Sequence, residues 1–335
     1  MPHGDQENDR TPDRLRVLVQ GAGGIGLYAA ARLAQAGHDV TLKGRAATVD
    51  ALRDGDLRVV RDGVATAVAG VRAVDAVPDR APHEAPIDLV VVATKSWQVG
   101  DAARELAPAV GDGTRVLTTQ NGVDAPARLA AHVPAEAVLA GTVVVIARRL
   151  GPAEVEVVGS EATVTVGSAE RTEPDAADRR VLAALEGAGI GARWTDDVTS
   201  ALWKKLALIA SYGGVGALAG ATVGETRSTP ATRDLVEAAM REVLAVGNAE
   251  GARLGEADVA DLLRSYESGF APGTTASMQR DLAEGRPSEL ADQSGAVVAH
   301  ADAAGIDVPV HRTIYASQLP RENAARRASP AQRVR

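Results

Sequence analysis

The chain has 335 residues, 45% of them hydrophobic, with a formal net charge of -8 and no cysteine. This length predicts two domains, and the missing cysteines exclude disulfides, thiolate metal sites and a cysteine nucleophile. The acidic balance argues against nucleic-acid binding, and no run of roughly 18 apolar residues is present to span a bilayer. We therefore expect a soluble, cytoplasmic protein whose partner is a small molecule rather than nucleic acid or a membrane, with a homodimer left open.

The first half of the chain alternates predicted strands and helices. Residues 1–13 are polar and lack the apolar stretch of a signal peptide, so we predict a disordered tail. A βαβ unit follows, with strands predicted from residue 15 to 20 and from 39 to 42 around a helix from 24 to 35. Further strands are predicted at 57–61, 87–94 and 115–119, with a helix at 98–109. This alternation indicates a parallel, doubly wound sheet.

The pattern changes twice towards the C-terminus. Strands predicted at 138–147, 154–158 and 163–166 are separated by short glycine-containing turns, which indicates an antiparallel extension, and a helix at 175–188 follows. After Gly191 only helices are predicted, at 197–210, 230–252, 257–268 and 288–304. The predicted fold class is α/β, a Rossmann-type sheet with an antiparallel extension followed by an all-helical C-terminal domain. We predict a nucleotide-binding domain over 14–194, a helical substrate domain over 195–320, and a second disordered tail over 321–335.

A glycine motif stands between the first predicted strand and the first helix. The segment GAGGIG contains G-x-G-x-x-G and comprises Gly21, Ala22, Gly23, Gly24, Ile25 and Gly26. In this context the first glycine permits a tight turn, the second lets the backbone approach a pyrophosphate, and the third lets helix and strand pack closely. The motif predicts a dinucleotide site, and the alternative is a glycine turn with a purely structural role.

Two cations follow the second predicted strand. An NAD site usually has Asp or Glu there to bind the ribose 2′-hydroxyl, but this chain has Lys43 and Arg45. A cation at this place suits the 2′-phosphate of NADP(H), which we therefore predict as the cofactor. The alternative is that both are solvated loop residues.

Polar residues also follow two later strands of the predicted sheet. Lys95 ends the segment IDLVVVATK, and Asn121 follows RVLTTQ. Ligands bind at the carboxyl ends of parallel strands, so we expect both side chains at the nicotinamide end of the cofactor. The alternatives are a solvated charge for Lys95 and an ordinary Asn-Gly turn for Asn121.

Lysine is rare in this chain. Of the 36 basic residues only four are lysines, at positions 43, 95, 204 and 205. A titratable ammonium can donate a proton, which arginine does badly, so these lysines are candidates for such a role.

Six segments in order resemble the ketopantoate reductase family over nearly the whole folded length. They are GAGGIG, VVATKSWQVGDA, TQNGV, GTVVVIARRLG, ALWKKL and SMQRDLAEGRPSELADQSGAVVAHADAAGIDVP. The resemblance implies hydride transfer from NADPH to the carbonyl carbon of a 2-oxo acid, as in the reduction of ketopantoate to pantoate in pantothenate biosynthesis. It makes Lys205 the proton donor, whereas Lys204, about 100° away around the helix, is expected to reach solvent.

The resemblance also implies roles for other residues. Glu289 would contact the lysine and the ribose region of the cofactor, and would help to keep the ammonium charged. Ser277 would bind the substrate near its carboxylate, and Asp281 would organise the same pocket. Asn121 and Lys95 match cofactor and substrate residues, and Ala147 matches a backbone contact to the cofactor.

The sequence departs from the family pattern in the substrate pocket. Ile209 and Gly213 stand where asparagines are expected one and two helical turns after the lysine, and Val223 replaces a further asparagine before a glycine. An unpaired substrate hydroxyl could cost about 1–3 kcal/mol per contact. We expect a more apolar or roomier pocket, so the alternatives to ketopantoate are a less polar 2-oxo acid, another ketone or an imine.

A non-catalytic NADP(H)-binding regulator is the competing class of function. It would keep the glycine motif but need not keep Lys205 and Glu289. A metal-dependent dehydrogenase is not expected, because the six histidines show no ligand-like spacing.

Overall fold

A computed structural model describes residues 14–77 and 86–328. The predicted tail over residues 1–13 lies outside the described residues. The chain forms two compact units, of which the first comprises, in its described part, 14–77, 86–94, Val99–Thr119 and Arg128–Asp196. The second comprises, in its described part, Lys95–Gln98, Gln120–Ala127 and 197–328. Two short segments that the sequence assigned to the first domain therefore belong to the second unit.

The first unit is built on one ten-stranded sheet. Its strands are β1 (Arg16–Gln20), β2 (Asp39–Lys43), β3 (Leu57–Arg61), β4 (Val64–Val68), β5 (Val71–Val74), β6 (Leu89–Val92), β7 (Arg115–Thr118), β8 (Val138–Gly151), β9 (Glu154–Gly167) and β10 (Gly191–Trp194). The order is β4-β3-β9-β8-β7-β6-β1-β2-β5, with β10 beside β9. Strands β5, β2, β1, β6, β7 and β8 pair in parallel, and β9 pairs antiparallel with β8. The predicted Rossmann-type sheet with its antiparallel extension is thus confirmed.

The three central strands of the parallel sheet are buried on both faces. All four residues of β6 and of β7 are buried, as are the last four of β1. Such continuously buried strands are typical of sheets covered on both sides. The turn predicted between residues 158 and 163 is instead an irregularity within the single strand β9, because Ile146 pairs with Val158 while Val144 pairs with Thr163.

Helices α1 (Gly24–Gln35), α2 (Ala46–Asp54), α3 (Val99–Leu106), α4 (Ala125–Ala130) and α5 (Ala176–Gly187) precede the long helical segment. That segment contains α6 (Val198–Ala219), α7 (Val223–Ser228), α8 (Pro230–Ala249), α9 (Glu256–Ser268), α10 (Ser277–Ala283), α11 (Ser294–Ala304) and α12 (Pro309–Ala328). The predicted all-helical C-terminal domain is confirmed, and each unit has its own apolar core. Within the described residues, no helix has the length and apolar character needed to cross a membrane.

Helix α6 ends nine residues later than predicted, at Ala219 instead of Ala210. The prediction stopped at the glycines that follow. A side chain on Gly213 would place its Cβ 2.6 Å from that of Ala276, and one on Gly214 would lie 2.8 Å from Ile314. The helix continues through these glycines because neighbouring elements pack directly on its backbone. The stabilisation from this tertiary packing outweighs the low helix propensity of glycine.

The prediction was also wrong for the start of α11 and for residues 321–328 of the C-terminal tail, whose remaining residues 329–335 lie outside the described part of the chain. Helix α11 begins at Ser294, six residues later than predicted, and residues 288–293 form a turn in which the amides of Asp292 and Gln293 bond to the Glu289 carbonyl. Residues 321–328 are not a tail, because α12 continues through Ala328 and buries Glu322 to 2% exposure. Glu322 can be buried in this polar segment because Arg326, on the same helix, neutralises its charge.

Candidate active site

The glycine motif forms a tight backbone turn in which Gly21, Gly24 and Gly26 leave no room for a side chain. Gly21 has a φ of +113°, and its amide bonds to the carbonyl of Lys43 at 3.0 Å. A Cβ on Gly24 would lie 2.1 Å from the carbonyl oxygen of Ala147, so β8 passes directly over the start of α1. The predicted cofactor residues Gly24 and Ala147 are therefore neighbours.

One face of this turn is open. A Cβ on Gly23 would meet nothing closer than 3.8 Å, and residues 21–25 are all partly exposed. Gly23 caps α1 without a side-chain hydrogen bond, and the first turn of α1 has no acidic residue. A helix N-terminus of this kind offers backbone amides to an anion, so the turn fits the pyrophosphate of a dinucleotide.

The two predicted cations beside this turn differ in their surroundings. The Lys43 ammonium lies 2.7 Å from a carboxylate oxygen of Glu105 on α3. Glu105 also accepts hydrogen bonds from Gln20 at 3.1 Å and from the amide of Val77 at 3.1 Å. Arg45 is exposed and caps α2. A carboxylate thus does stand at the end of β2, but it comes from α3 and was missed because only the tertiary fold brings it there.

Lys205 lies on α6 in the second unit. Burial is the main influence on its ammonium and lowers its pKa from 10.5 to about 8, against the raising effect of the Glu289 charge. A lysine with this pKa is still mostly protonated at neutral pH and can give its proton up readily. Its neighbour Lys204 does not simply reach solvent as expected, because it forms ion pairs with Asp258 at 2.7 Å and Asp261 at 3.1 Å.

Glu289 is held by a serine from the segment after β6. Its carboxylate accepts a hydrogen bond from the Ser96 hydroxyl at 3.0 Å and a longer one from the Ser96 amide at 3.4 Å, and it is 6% exposed. The same hydroxyl lies 3.1 Å from the carbonyl oxygen of Asn121. Ser96 thus links the segments that carry Lys95 and Asn121 to the residue that acts on Lys205. Ser96 is not among the predicted site residues, although it directly follows Lys95.

Lys95 is paired with Asp281. Its ammonium lies 2.9 Å from one carboxylate oxygen of Asp281, whose other oxygen accepts two hydrogen bonds from Arg286 at 2.9 and 3.0 Å. The Lys95 side chain stays 43% exposed, whereas that of Asp281 is 13% exposed. Asp281 therefore orients two cations.

The remaining predicted pocket residues have different environments. Ser277 is exposed at the first residue of α10, and Ile209 is half-buried one helical turn after Lys205. Gly213 opens no space, because the Ala276 side chain occupies the volume a larger residue would take. Val223 is 3% exposed and belongs to the apolar core. Of the three residues that replace the family's asparagines, Ile209, Gly213 and Val223, only Ile209 has a partly exposed side chain.

The segment that carries Asn121 contacts the helical part of its own unit at several points. Gly122 approaches the Asp292 carbonyl so closely that a Cβ would lie 2.8 Å from it. Asp124 lies 2.9 Å from the Nε2 atom of His300, whose Nδ1 atom lies 3.0 Å from Glu250. Burial lowers the pKa of His300, but its hydrogen bonds to the carboxylates of Asp124 and Glu250 outweigh burial and raise the pKa overall. Within residues 14–77 and 86–328, no group of three or more acidic or histidine side chains is arranged to hold a metal.

Comparison with known proteins gives one consistent answer. Residues 17–171 match the family described as Ketopantoate reductase PanE/ApbA, and residues 197–318 match its C-terminal counterpart. A 2-dehydropantoate 2-reductase of Halobacterium salinarum is 35% identical over 310 residues, covering 90% of this chain and 96% of the relative. The crystal structure of a PanE/ApbA family ketopantoate reductase from Ralstonia eutropha JMP134 is 29% identical with a TM-score of 0.80, covering 92% of this chain and 99% of the other. D-mandelate dehydrogenase, solved with NADH and anilino(oxo)acetate, has a TM-score of 0.81 at 22% identity over 92% and 99% of the two chains, a likeness of fold alone.

Proposed function

Because this chain belongs to the ketopantoate reductase family, we propose that it reduces the carbonyl group of a 2-oxo acid with NADPH. Family membership makes it an oxidoreductase of the CH–OH group. The finer proposal is that ketopantoate is the substrate and pantoate the product. The observation that carries the proposed reduction is the half-buried Lys205, whose pKa is lowered to about 8 by burial while the Glu289 charge opposes that effect.

The residues divide the chemistry in a simple way. The reduced nicotinamide supplies a hydride to the carbonyl carbon. The carbonyl π electrons then move to the oxygen, and the Lys205 ammonium stabilises that charge and donates the proton that completes the hydroxyl group. Lys205 is left neutral, a form that its burial favours, so the transfer relieves the cost of a buried charge.

Glu289 keeps Lys205 charged before the reaction. A buried ammonium loses its proton unless an opposite charge is near, and Glu289 provides that charge. Ser96 fixes the orientation of the Glu289 carboxylate through its hydroxyl group. We assign Asn121 and Ser277 to the substrate, and Lys95, Asn121 and Glu289 to the nicotinamide and ribose side of the cofactor.

NADP(H) is the proposed cofactor rather than NAD(H). The exposed Arg45, next to the glycine turn, suits a 2′-phosphate. Lys43 adds to this only in part, because Glu105 neutralises its charge. Steady-state kinetics with NADPH and NADH would test the preference, and a higher kcat/KM with NADH would contradict it.

The function is tested by following nicotinamide absorbance with ketopantoate. Wild-type protein should oxidise NADPH only when the 2-oxo acid is present, and Lys205→Ala should lose turnover while still binding NADPH. Lys204→Ala is the matched control, because Lys204 pairs with α9 and should be dispensable. If Lys205→Ala kept wild-type turnover, Lys205 would not be the proton donor. Absence of any turnover in the wild type would favour the non-catalytic regulator.

One observation favours a second substrate class. The half-buried Ile209 offers a hydrocarbon surface one turn from Lys205, where an amide would bind a substrate hydroxyl. Less polar 2-oxo acids are therefore the second candidate. Comparing their kcat/KM with that of ketopantoate decides between them, and a clear preference for ketopantoate would remove this alternative.

A further inference from the structure

The last two turns of α12 bury a charged group that the chemistry described so far does not use. Glu322 is 2% exposed, and its carboxylate accepts hydrogen bonds from the Ser288 hydroxyl at 2.6 Å and the Ser288 amide at 3.0 Å. Arg326, one helical turn later, lies 2.6 Å from the other carboxylate oxygen. A buried carboxylate is costly unless such partners surround it, so Glu322 holds Ser288 firmly in place.

Arg326 reaches two chain segments at once. Its Nη2 atom donates to the Ser288 carbonyl at 3.1 Å, and its guanidinium carbon lies 4.6 Å from the centre of the Trp97 ring. Among aromatic rings, the indole of tryptophan attracts a cation over its face most strongly. Arg326 therefore joins the turn over residues 288–293, which we call the Glu289 turn, to the short 3₁₀ turn Ser96–Gln98, which we call the Ser96 turn.

These two turns carry both partners of the bond that fixes Glu289. Ser288 directly precedes Glu289, and Trp97 directly follows Ser96. The Ser96 hydroxyl donates to Glu289 at 3.0 Å. Donor and acceptor of this hydrogen bond thus each adjoin a residue that α12 holds.

We propose that Glu322 and Arg326 are positioning residues that hold the Ser96 and Glu289 turns together, and so keep the Glu289 carboxylate in place to act on Lys205. The proposal rests on the proposed function for its catalytic consequence, and on the contacts of α12 for its structural part. Neither residue touches a reacting atom. If the turns separate, the field that keeps Lys205 charged weakens, and the pKa of Lys205 falls further.

The main test variant is Arg326→Met, which keeps the length of the side chain but loses its charge and donors. Glu322→Gln is the gentler second variant, since its amide oxygen can still accept from Ser288 while the negative charge that pairs with Arg326 is removed. Arg312→Met is the matched control, because Arg312 is an arginine of the same helix that pairs with Asp302 at 2.7 Å, away from both turns. All three are made in the full chain.

The first measurement is hydrogen exchange of the amides of Ser96 and Ser288, followed by mass spectrometry of the peptides that contain them. We expect both to exchange roughly tenfold faster in Arg326→Met, a local opening that Arg312→Met does not produce. Unchanged exchange at both amides would overturn the proposal. This measurement needs no turnover, so it decides the structural part even if the proposed function fails.

The second measurement is the pH profile of kcat/KM for 2-oxo acid reduction. Arg326→Met and Glu322→Gln should lower the upper pH midpoint in the same direction as Glu289→Gln and reduce kcat about tenfold, because a displaced group loses catalytic effect steeply. Combining Arg326→Met with Glu289→Gln should move the midpoint no further than Glu289→Gln alone. A fall in thermal stability with a wild-type midpoint would mean that the two residues act only on folding, and would overturn the proposal.

Discussion

The protonation of Lys205 should set the upper pH limit of the reduction. Burial lowers its pKa from 10.5 to about 8, a difference of about 3 kcal/mol in favour of the neutral amine. If Lys205 is the proton donor, the reduction needs its ammonium form, so about nine molecules in ten are competent one pH unit below the midpoint and about one in ten is competent one unit above it. We therefore expect kcat/KM to fall roughly tenfold per pH unit above a midpoint near 8.

The reverse reaction should show the opposite dependence. Oxidation of the 2-hydroxy acid needs neutral Lys205 to accept the hydroxyl proton, so its rate should rise with pH through the same midpoint. Initial rates in both directions, measured in buffers of constant ionic strength, give the two curves. If the reduction rate stays level through this range, or if both directions respond in the same sense, Lys205 is not the titrating acid.

Glu289→Gln separates the charge of Glu289 from its shape. The amide oxygen can still accept the Ser96 hydrogen bond, but the negative charge that raises the pKa of Lys205 is lost. The pH midpoint of kcat/KM should therefore move to lower pH in this variant. The loss of rate should be smaller below the midpoint, where Lys205 remains protonated, than above it. A midpoint that stays in place or rises in this variant would refute the electrostatic role of Glu289.

Three further predictions concern residues around the site. Gly213→Asn should destabilise the fold by about 1–3 kcal/mol in urea unfolding, because a Cβ there lies 2.6 Å from a neighbouring side chain, whereas the half-buried Ile209→Asn should fold and raise kcat/KM for ketopantoate. Equal stability of the two variants would contradict the packing argument. Glu105→Gln should release Lys43 from its ion pair and lower KM for NADPH relative to NADH, and an unchanged ratio of the two KM values would rule out this effect. His300→Gln should cost roughly 1 kcal/mol or less of unfolding free energy. The pKa of His300 is raised in the folded state, so its ion pairs stabilise the fold fully below the unfolded-state pKa of about 6.5. This stabilisation is lost as pH rises through the folded-state pKa. A cost that grows towards alkaline pH would have the wrong sign for this mechanism.

The parallel sheet was predictable because its signals are local. Runs of mostly apolar residues indicated the strands, as in β1 and β6, and the glycine motif marked the start of α1. The end of α6 was not predictable, since the glycines that discourage a helix are here the surfaces on which α10 and α12 pack. That compensation comes from residues about 60 and 100 positions further along the chain, which no local pattern contains.

The candidate site divides in the same way. Lys205 and Glu289 were identified through the family motif, and Lys95 and Asn121 through their place after strands. Their supporting contacts were not, because Ser96, Glu322 and Arg326 are ordinary polar residues until folding brings them to Glu289. The polar segment after residue 320 even predicted a tail, since burial of Glu322 depends on a partner one turn away and on a serine 34 residues earlier.

The short segments 95–98 and 120–127 belong to the same unit as Lys205 and Glu289, which explains how they can support the charge on Lys205. A buried lysine would be neutral unless a carboxylate stayed beside it, and a buried carboxylate needs fixed hydrogen-bond donors. The chain after β6 supplies such a donor in Ser96, and His300 holds the neighbouring segment through Asp124. The charge on Lys205 therefore depends on loops that follow strands of the sheet but pack as part of the helices, so a substitution that loosens those loops should change the pH profile of the reaction before it unfolds the protein.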